Sequence, residues 1–586
     1  MSHSQAGETH PGGISITRRS FVRLSLGGAV GLPLLLEACG SSTAPSASSA
    51  AAPASSAAPA SSSGAAVQAS SAAAVSSASA SAAAGVTLPT YVAVQGPPPD
   101  LPSTAPGVPP AYLNFPKNLV KSVTAPPGKG GDVTTMFYVI TGTPPTPMAQ
   151  NSAWQAVNKA VNATLKNTYV AYADYPTRLA TILAGGDVPD MLCISVLGSL
   201  FQGMPQFLAS KCQDLTPFVG GDAIKAYPNL AGLPSEAWRT TVFNQKIYAI
   251  PQADVNLGAD LLSNGKQLAG VGASASSFKT TDDFTKIAKE LTKPGTHWAI
   301  GSNILTWMLM VFRAPNNWRE SGGKLTKDIE TPEYQAAVAY LRSLWDAGVI
   351  WPDTPSSSVN ILATNFYGGK YTFWPNLYLA FAGAYDGTRL QDPNFNLRPV
   401  IPFGHDGGKA VQFLSAPSVG LTSLKQASPD RIKELLGILN YLAAPFGSEE
   451  GLLVQYGVKG ADYTFDAKGN PIPTNKARIE VVPWGGLVRH SPVLYDSTNP
   501  EAAKVGHDAE VQAAAIGLKD PVVGLFSNTY ASKGAALNRT FIDGVNQILY
   551  GRTPVSSLAG LISAWRANGG DTIRSEYEQA LQDSTK

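Results

Sequence analysis

The sequence predicts an α/β protein with a parallel sheet, and three observations carry that prediction. Between Asp132 and Ile194, apolar β-branched runs alternate with stretches of helical period. The order strand, helix, strand, helix, strand builds a parallel sheet with helices on its faces. Ser41 to about Gly85 is almost wholly Ser and Ala, with scattered Pro and no charge, so it has no large apolar groups to offset the entropy of ordering. The stretch 130–586 that remains is long enough for two sizeable cores.

Asp132 to Ile140 (DVTTMFYVI) reads as a buried strand. A helix is expected from about Ser152, with Trp154, Val157, Val161 and Leu165 at helical spacing, and Thr168 to Tyr172 as the second strand. Tyr175 to Leu183 gives the second helix, closed by Gly185-Gly186, and Asp187 to Ile194 a turn that enters a third strand. Asp187 and Asp190 are expected to orient that turn. Further on, Gly404 to Gly408 reads as a loop and Gln412 to Leu421 as an apolar strand.

The N-terminal stretch is of another kind. Thr17-Arg18-Arg19-Ser20-Phe21-Val22 precedes a short, glycine-broken apolar run, Leu24 to Leu36. That run is short for a membrane span, which takes about 20 apolar residues. The arginine pair, Arg18 and Arg19, resembles a twin-arginine (Tat) export signal, and Leu36-Glu37-Ala38-Cys39 resembles a bacterial lipobox. The resemblance implies a signal peptide over 1–38, lipidation at Cys39 and a disordered Ser/Ala/Pro-rich tether over 39–129. Glu37 departs from the small residue usual at its position.

Charge and composition exclude several classes. The net charge is +2, of which the leader carries +1, and no run of Lys or Arg forms a phosphate-binding stripe, so nucleic acid is not expected as a partner. After Cys39 only Cys193 and Cys212 remain; they could pair in an exported protein or stay free and buried. His297, His405 and His490 lie far apart and no CxxC or D-x-D-x-D-G loop occurs, so no metal and no cofactor are expected. There is no G-x-S-x-G elbow, no P-loop (Lys370 is followed by Tyr371) and no H-E-x-x-H, which leaves catalysis unmotivated.

An ordered set of motifs then resembles family 1 extracellular solute-binding proteins, the receptors of sugar-type ABC importers. Its members are Ala184 to Asp190 (AGGDVPD), Asn244 to Pro251 (NQKIYAIP), Thr281 to Phe284, Leu325 to Pro352, Phe366 to Lys370, Gly447 to Gly451 and Tyr456 to Tyr463. Thr281 or Asp282 is expected to cap its helix. Gln245 stands where a Gly is usual, so that hairpin is expected to be built differently. The resemblance implies a two-lobed periplasmic-binding-protein-like fold of type 2, maltose-binding-like, each lobe a sheet flanked by helices. The first lobe is expected over 130–252 plus 411–450 and the second over 253–410 plus 451–586.

Sugar recognition needs flat apolar faces beside planar polar groups. Loop clusters of that kind hold Gln252, Asp254 and Asn256; Asn303 and Trp307; and Trp374, Asn376 and Tyr378. In the family the matching segments line the cleft, and Trp484 is a further loop candidate. Trp307, followed by five apolar residues, could equally be core. The resemblance implies a monomeric, lipid-anchored, extracytoplasmic receptor. It would capture a carbohydrate, an oligosaccharide by the later motifs, without chemistry and present it to ABC permease subunits. A secreted carbohydrate-active enzyme and a ligand-sensing ectodomain are the alternatives.

Overall fold

The computed structural model describes residues 86–104, 107–139, 144–195 and 200–584. The leader with Arg18, Arg19 and Cys39, and the Ser/Ala run, lie outside the described residues. Two main sheets are built from β1 (Asp132–Val139), β2 (Thr164–Ala171), β3 (Met191–Ser195), β4 (Ile250–Ala253), β5 (Ala259–Asn264), β6 (Trp298–Ile300), β7 (Tyr371–Leu377), β8 (Leu397–Pro399) and β9 (Ser418–Leu424).

The first lobe holds a five-stranded sheet in the order β2-β1-β3-β9-β4. β2 and β3 run parallel to β1, and β9 enters antiparallel between β3 and β4. Helix α1 (Ser152–Val161) is capped by Asn151, whose side chain accepts the Trp154 N–H, and it stops at Asn162 in the left-handed region with φ 52°. That stop overrides the run of helical spacing: Leu165 belongs to β2, which starts four residues before the expected Thr168. α2 (Tyr175–Gly185) follows β2 and ends on Gly186, φ 71°.

The second lobe holds a four-stranded sheet in the order β8-β5-β7-β6, framed by α3 (Thr281–Leu291), α4 (Leu305–Val311), α5 (Phe381–Gln391), α6 (Pro500–Ala514) and α7 (Asn528–Leu549). The cap of α3 is Thr280 rather than Thr281 or Asp282, in a capping box closed by Asp283. The hairpin at Asn244-Gln245 forms despite the missing glycine. Both residues take positive φ, 50° and 58°, between the paired Val242–Phe243 and Lys246–Ile247, as a two-residue turn of this kind requires.

Three crossings join the lobes, and they depart from the expected boundaries. The first, residues 254–258, runs from β4 to β5 and the second, 414–417, leads into β9; Gln412–Phe413 still pairs with Gly517–Leu518 of lobe 2. The third lies at 489–499 rather than at 450. Residues 451–488 stay with lobe 1, because Val454, Val482, Trp484, Leu487 and Val488 are buried in its core. Gly486 lies against the Phe137 ring so closely that an added Cβ would come within 2.5 Å of it.

The expected tether, 39–129, includes residues that are folded. From Val86 on, the chain is folded onto lobe 1: Val86, Leu88 and Val92 pack against its core, and the Val92 N–H donates to Ala231 O at 3.0 Å. Tyr112 and Phe115 form an aromatic cluster with Phe446, Leu452 and Tyr463, and Ala111–Tyr112 pairs in parallel with Leu494–Tyr495. A proline-rich segment interrupted by large apolar side chains has surface to bury, which the Ser/Ala run lacks. Cys193 and Cys212 are free and buried, and burial pushes each thiol up to about 12.

Candidate functional site

β1 to β4 all point their carboxyl ends at the crossings, and so do β6, β7 and β8 in the second lobe. In open α/β sheets the crevice outside the carboxyl ends of the strands is where ligands bind. Lobe 1 contributes Tyr138 from the end of β1, Tyr172 after β2, Ser195 at the end of β3 and Asp254 after β4. Tyr138 meets Tyr172 and Tyr175 edge to face, with centroids 5.1 and 5.6 Å apart. Tyr175, fully buried, anchors this group by donating to Cys193 O at 2.5 Å. Burial raises the Tyr138 phenol well above its ordinary value, and the nearby Arg489 guanidinium pulls the other way.

Arg489 opens the third crossing, and its Nη1 donates to Asp254 Oδ2 at 2.5 Å; the Asp254 Oδ1 accepts the Val255 N–H at 2.7 Å. The side chains of Asp254 and Arg489 are 10% and 20% exposed. This pair ties the first crossing to the third at the rim of the tyrosine group. From lobe 2, half-buried Asn303 follows β6, accepting the Leu305 N–H and donating to Asn546 Oδ1 at 3.0 Å, and half-buried Asn376 lies near the end of β7. Asp254 and Asn303 thus follow their strands, whereas Asn376, expected in a loop after Phe373, lies within β7.

The remaining expected contacts are packed inside. Trp307 is a core residue of lobe 2, 1% exposed, with its Nε1–H donating to Val400 O and its ring against Phe403 at 5.5 Å. Trp374 stacks with Phe366 and Tyr371 in a second cluster of that lobe. Trp484 is buried in lobe 1. Gln252 is buried too; its Nε2–H donates to Gly486 O at 2.8 Å and so holds the 484–488 segment to β4. Half-buried Asn256 packs against Gly107 of the N-terminal segment.

Tyr378 belongs to a different group. It is 1% exposed, with no hydrogen-bond partner for its hydroxyl, and it lies beside the buried carboxyls of Asp260 on β5 and Glu510 on α6. Burial drives the Asp260 carboxyl up to about 8, and burial together with Asp260 drives Glu510 well above the carboxylate range. Burial thus favours the protonated form of both carboxyls. Among the described residues no group of three or more His, Cys, Asp or Glu forms a metal site.

Tyr138, Tyr172 and Arg489 were not anticipated. The available signal was positional, an aromatic at the end of each of the first two parallel strands. Arg489 gave none, because its crossing was expected elsewhere.

Two α/β lobes joined by three crossings, with tyrosines and polar groups at the strand ends that face the crossings, have the architecture of solute-binding proteins. Residues 152–433 match the family described as bacterial extracellular solute-binding protein. The chain is 23% identical over 475 residues to the "Polygalacturonan/rhamnogalacturonan-binding protein YtcQ" of Bacillus subtilis (strain 168), covering 74% of this chain and 88% of that one. To "Lipoprotein LipO" of the same organism it is 21% identical over 467 residues, with 75% and 91% covered. Among solved structures it resembles the "HMO binding ABC-transporter associated Solute Binding Protein" of Bifidobacterium longum infantis ATCC 15697. The TM-score is 0.57 at 15% identity, over 78% of this chain and all of that one.

Proposed function

We propose that the protein captures an oligosaccharide in the crevice between its lobes, by hinge closure about the three crossings, and delivers it to an ABC permease. The observation that carries this reading is the joint presentation of Tyr138, Tyr172 and the Asp254–Arg489 pair from one lobe with Asn303 and Asn376 from the other. Tyrosine faces suit the C–H side of pyranose rings, and the amides and the ion pair suit their hydroxyls. A ligand bonded to both lobes favours the closed arrangement, which the permease would read as the loaded form. The names of the relatives, one binding pectic polymers and one a lipoprotein, support the carbohydrate and the anchor at Cys39. The protein acts as an extracytoplasmic monomer.

The test is calorimetric titration of the full chain carrying Cys39→Ala with neutral and galacturonate-containing oligosaccharides, with chromatography of each mixture afterwards. Saturable heat with the sugar recovered intact is the expected result. Sugar cleavage would replace the receptor by an enzyme, and the absence of heat across the whole panel would remove carbohydrate as the ligand.

A further inference from the structure

The folded part of the N-terminal segment does more than lie on lobe 1. Residues 97–104 and 107–115 form a closed loop. Leu101 and Ala111 exchange backbone hydrogen bonds of 3.0 and 2.8 Å, the Leu113 N–H donates to Asp100 Oδ2 at 2.7 Å, and the Tyr112 hydroxyl donates to Pro97 O at 2.8 Å. The base of the loop is fixed to lobe 1 by Tyr112 and Phe115, buried among Phe446, Leu452 and Tyr463. Its return strand, Ala111–Tyr112, is hydrogen-bonded to Leu494–Tyr495 on the third crossing.

The far side of the loop reaches the other lobe. Gly107, at φ 86°, rests on Asn256 of the first crossing, where an added Cβ would stand 3.2 Å from the asparagine Cβ. Pro102 O accepts a hydrogen bond from His507 Nε2 at 3.2 Å, and His507 is a buried residue of α6 in lobe 2. One short loop thus touches lobe 1, two of the three crossings and lobe 2. A motion of one lobe against the other must either carry this loop with it or break one of these contacts.

We infer that this loop is a strap across the hinge that restrains the relative motion of the lobes and so sets how far the crevice opens. It rests on the reading of the crossings as a hinge, and on no assumption about the ligand. The restraint is released where the loop meets lobe 2 and the first crossing, at His507 and Gly107, without touching a crevice residue.

The experiment measures the distance between lobes in the ligand-free protein. Spin labels are placed on the full chain carrying Cys39→Ala, through Lys159→Cys on α1 and Lys289→Cys on α3, both exposed; Cys193 and Cys212 are buried. The parent should give one narrow distance distribution. His507→Ala, which removes the donor, and Gly107→Val, which forces the loop off Asn256, should each at least double its width. His507→Gln, which keeps a side-chain N–H, should stay near the parent. Parent-width distributions from both disrupting variants would overturn the strap. Should His507→Ala fail to fold, Gly107→Val decides alone. Because no sugar is added, the carbohydrate reading and the strap can fail separately.

Discussion

Asp260 shows how much a single side chain can say that its neighbours in sequence cannot. Its folded-state pKa of about 8 lies far above the ~4 of an unfolded aspartate, so the folded state holds the proton more tightly. Its contribution to stability is whole below about pH 4 and is lost as the pH rises towards 8. Asp260→Asn, which cannot ionise, should therefore melt above the parent at pH 8 and beside it at pH 4.5, as read by calorimetry. An unchanged difference across that range would show that Asp260 is charged in the fold. Trp307 makes the complementary case. A buried indole of this size should cost about 3–5 kcal/mol on truncation to Ala, measured by chemical unfolding, whereas Arg489→Ala should both weaken sugar binding and lower stability, because it leaves the Asp254 carboxylate without its partner. Polar residues on strand ends were legible from sequence because a loop after a parallel strand has one place to go. The tryptophans were not, because an aromatic beside a loop packs inward or outward according to partners that lie far along the chain.

At the scale of elements, the segment 484–488 is the instructive one. It closes over β1 and β4 through Gly486 and Gln252, and its lack of a side chain at 486 is what allows the approach to Phe137. Gly486→Ala should lift the segment and cost about 1–3 kcal/mol by overpacking; a denaturant midpoint equal to the parent's would show that the segment adjusts freely. The first three strands and first two helices of lobe 1 followed from their periodicity, apart from the boundary at Asn162. The third crossing did not, because the run after Tyr456 alternates short apolar groups with Gly and Pro and carries no mark of which lobe it covers. Asn162 and the pair Asn244-Gln245 show a related limit: one positive φ can end a helix or close a hairpin against the local apolar pattern.

For the whole molecule, the boundary between tether and fold is set by where large apolar side chains begin. A chain starting at Val86 should melt with the full-length protein. One starting at Lys117 loses Tyr112 and Phe115, each exposed over less than a tenth of its surface, and should melt a few degrees lower at about 1.5–3 kcal/mol per buried side chain. Equal melting of the two would mean that the aromatic cluster adds nothing. The two-lobed plan itself was recoverable from the order of motifs, since each motif marks a turn of the same scaffold.

The interleaving of the lobes has a further consequence. The sheet of lobe 1 receives β9 only after the β5–β8 part of lobe 2 has been made, and its cover at 482–488 comes later still. Lobe 2 in turn waits for Phe541, Val545, Ile573 and Tyr577 near the C-terminus. Neither half can complete its sheet and core until segments of the other have also been made. Such non-local pairing is slow to form and leaves half-built sheets exposed until the distant segments arrive.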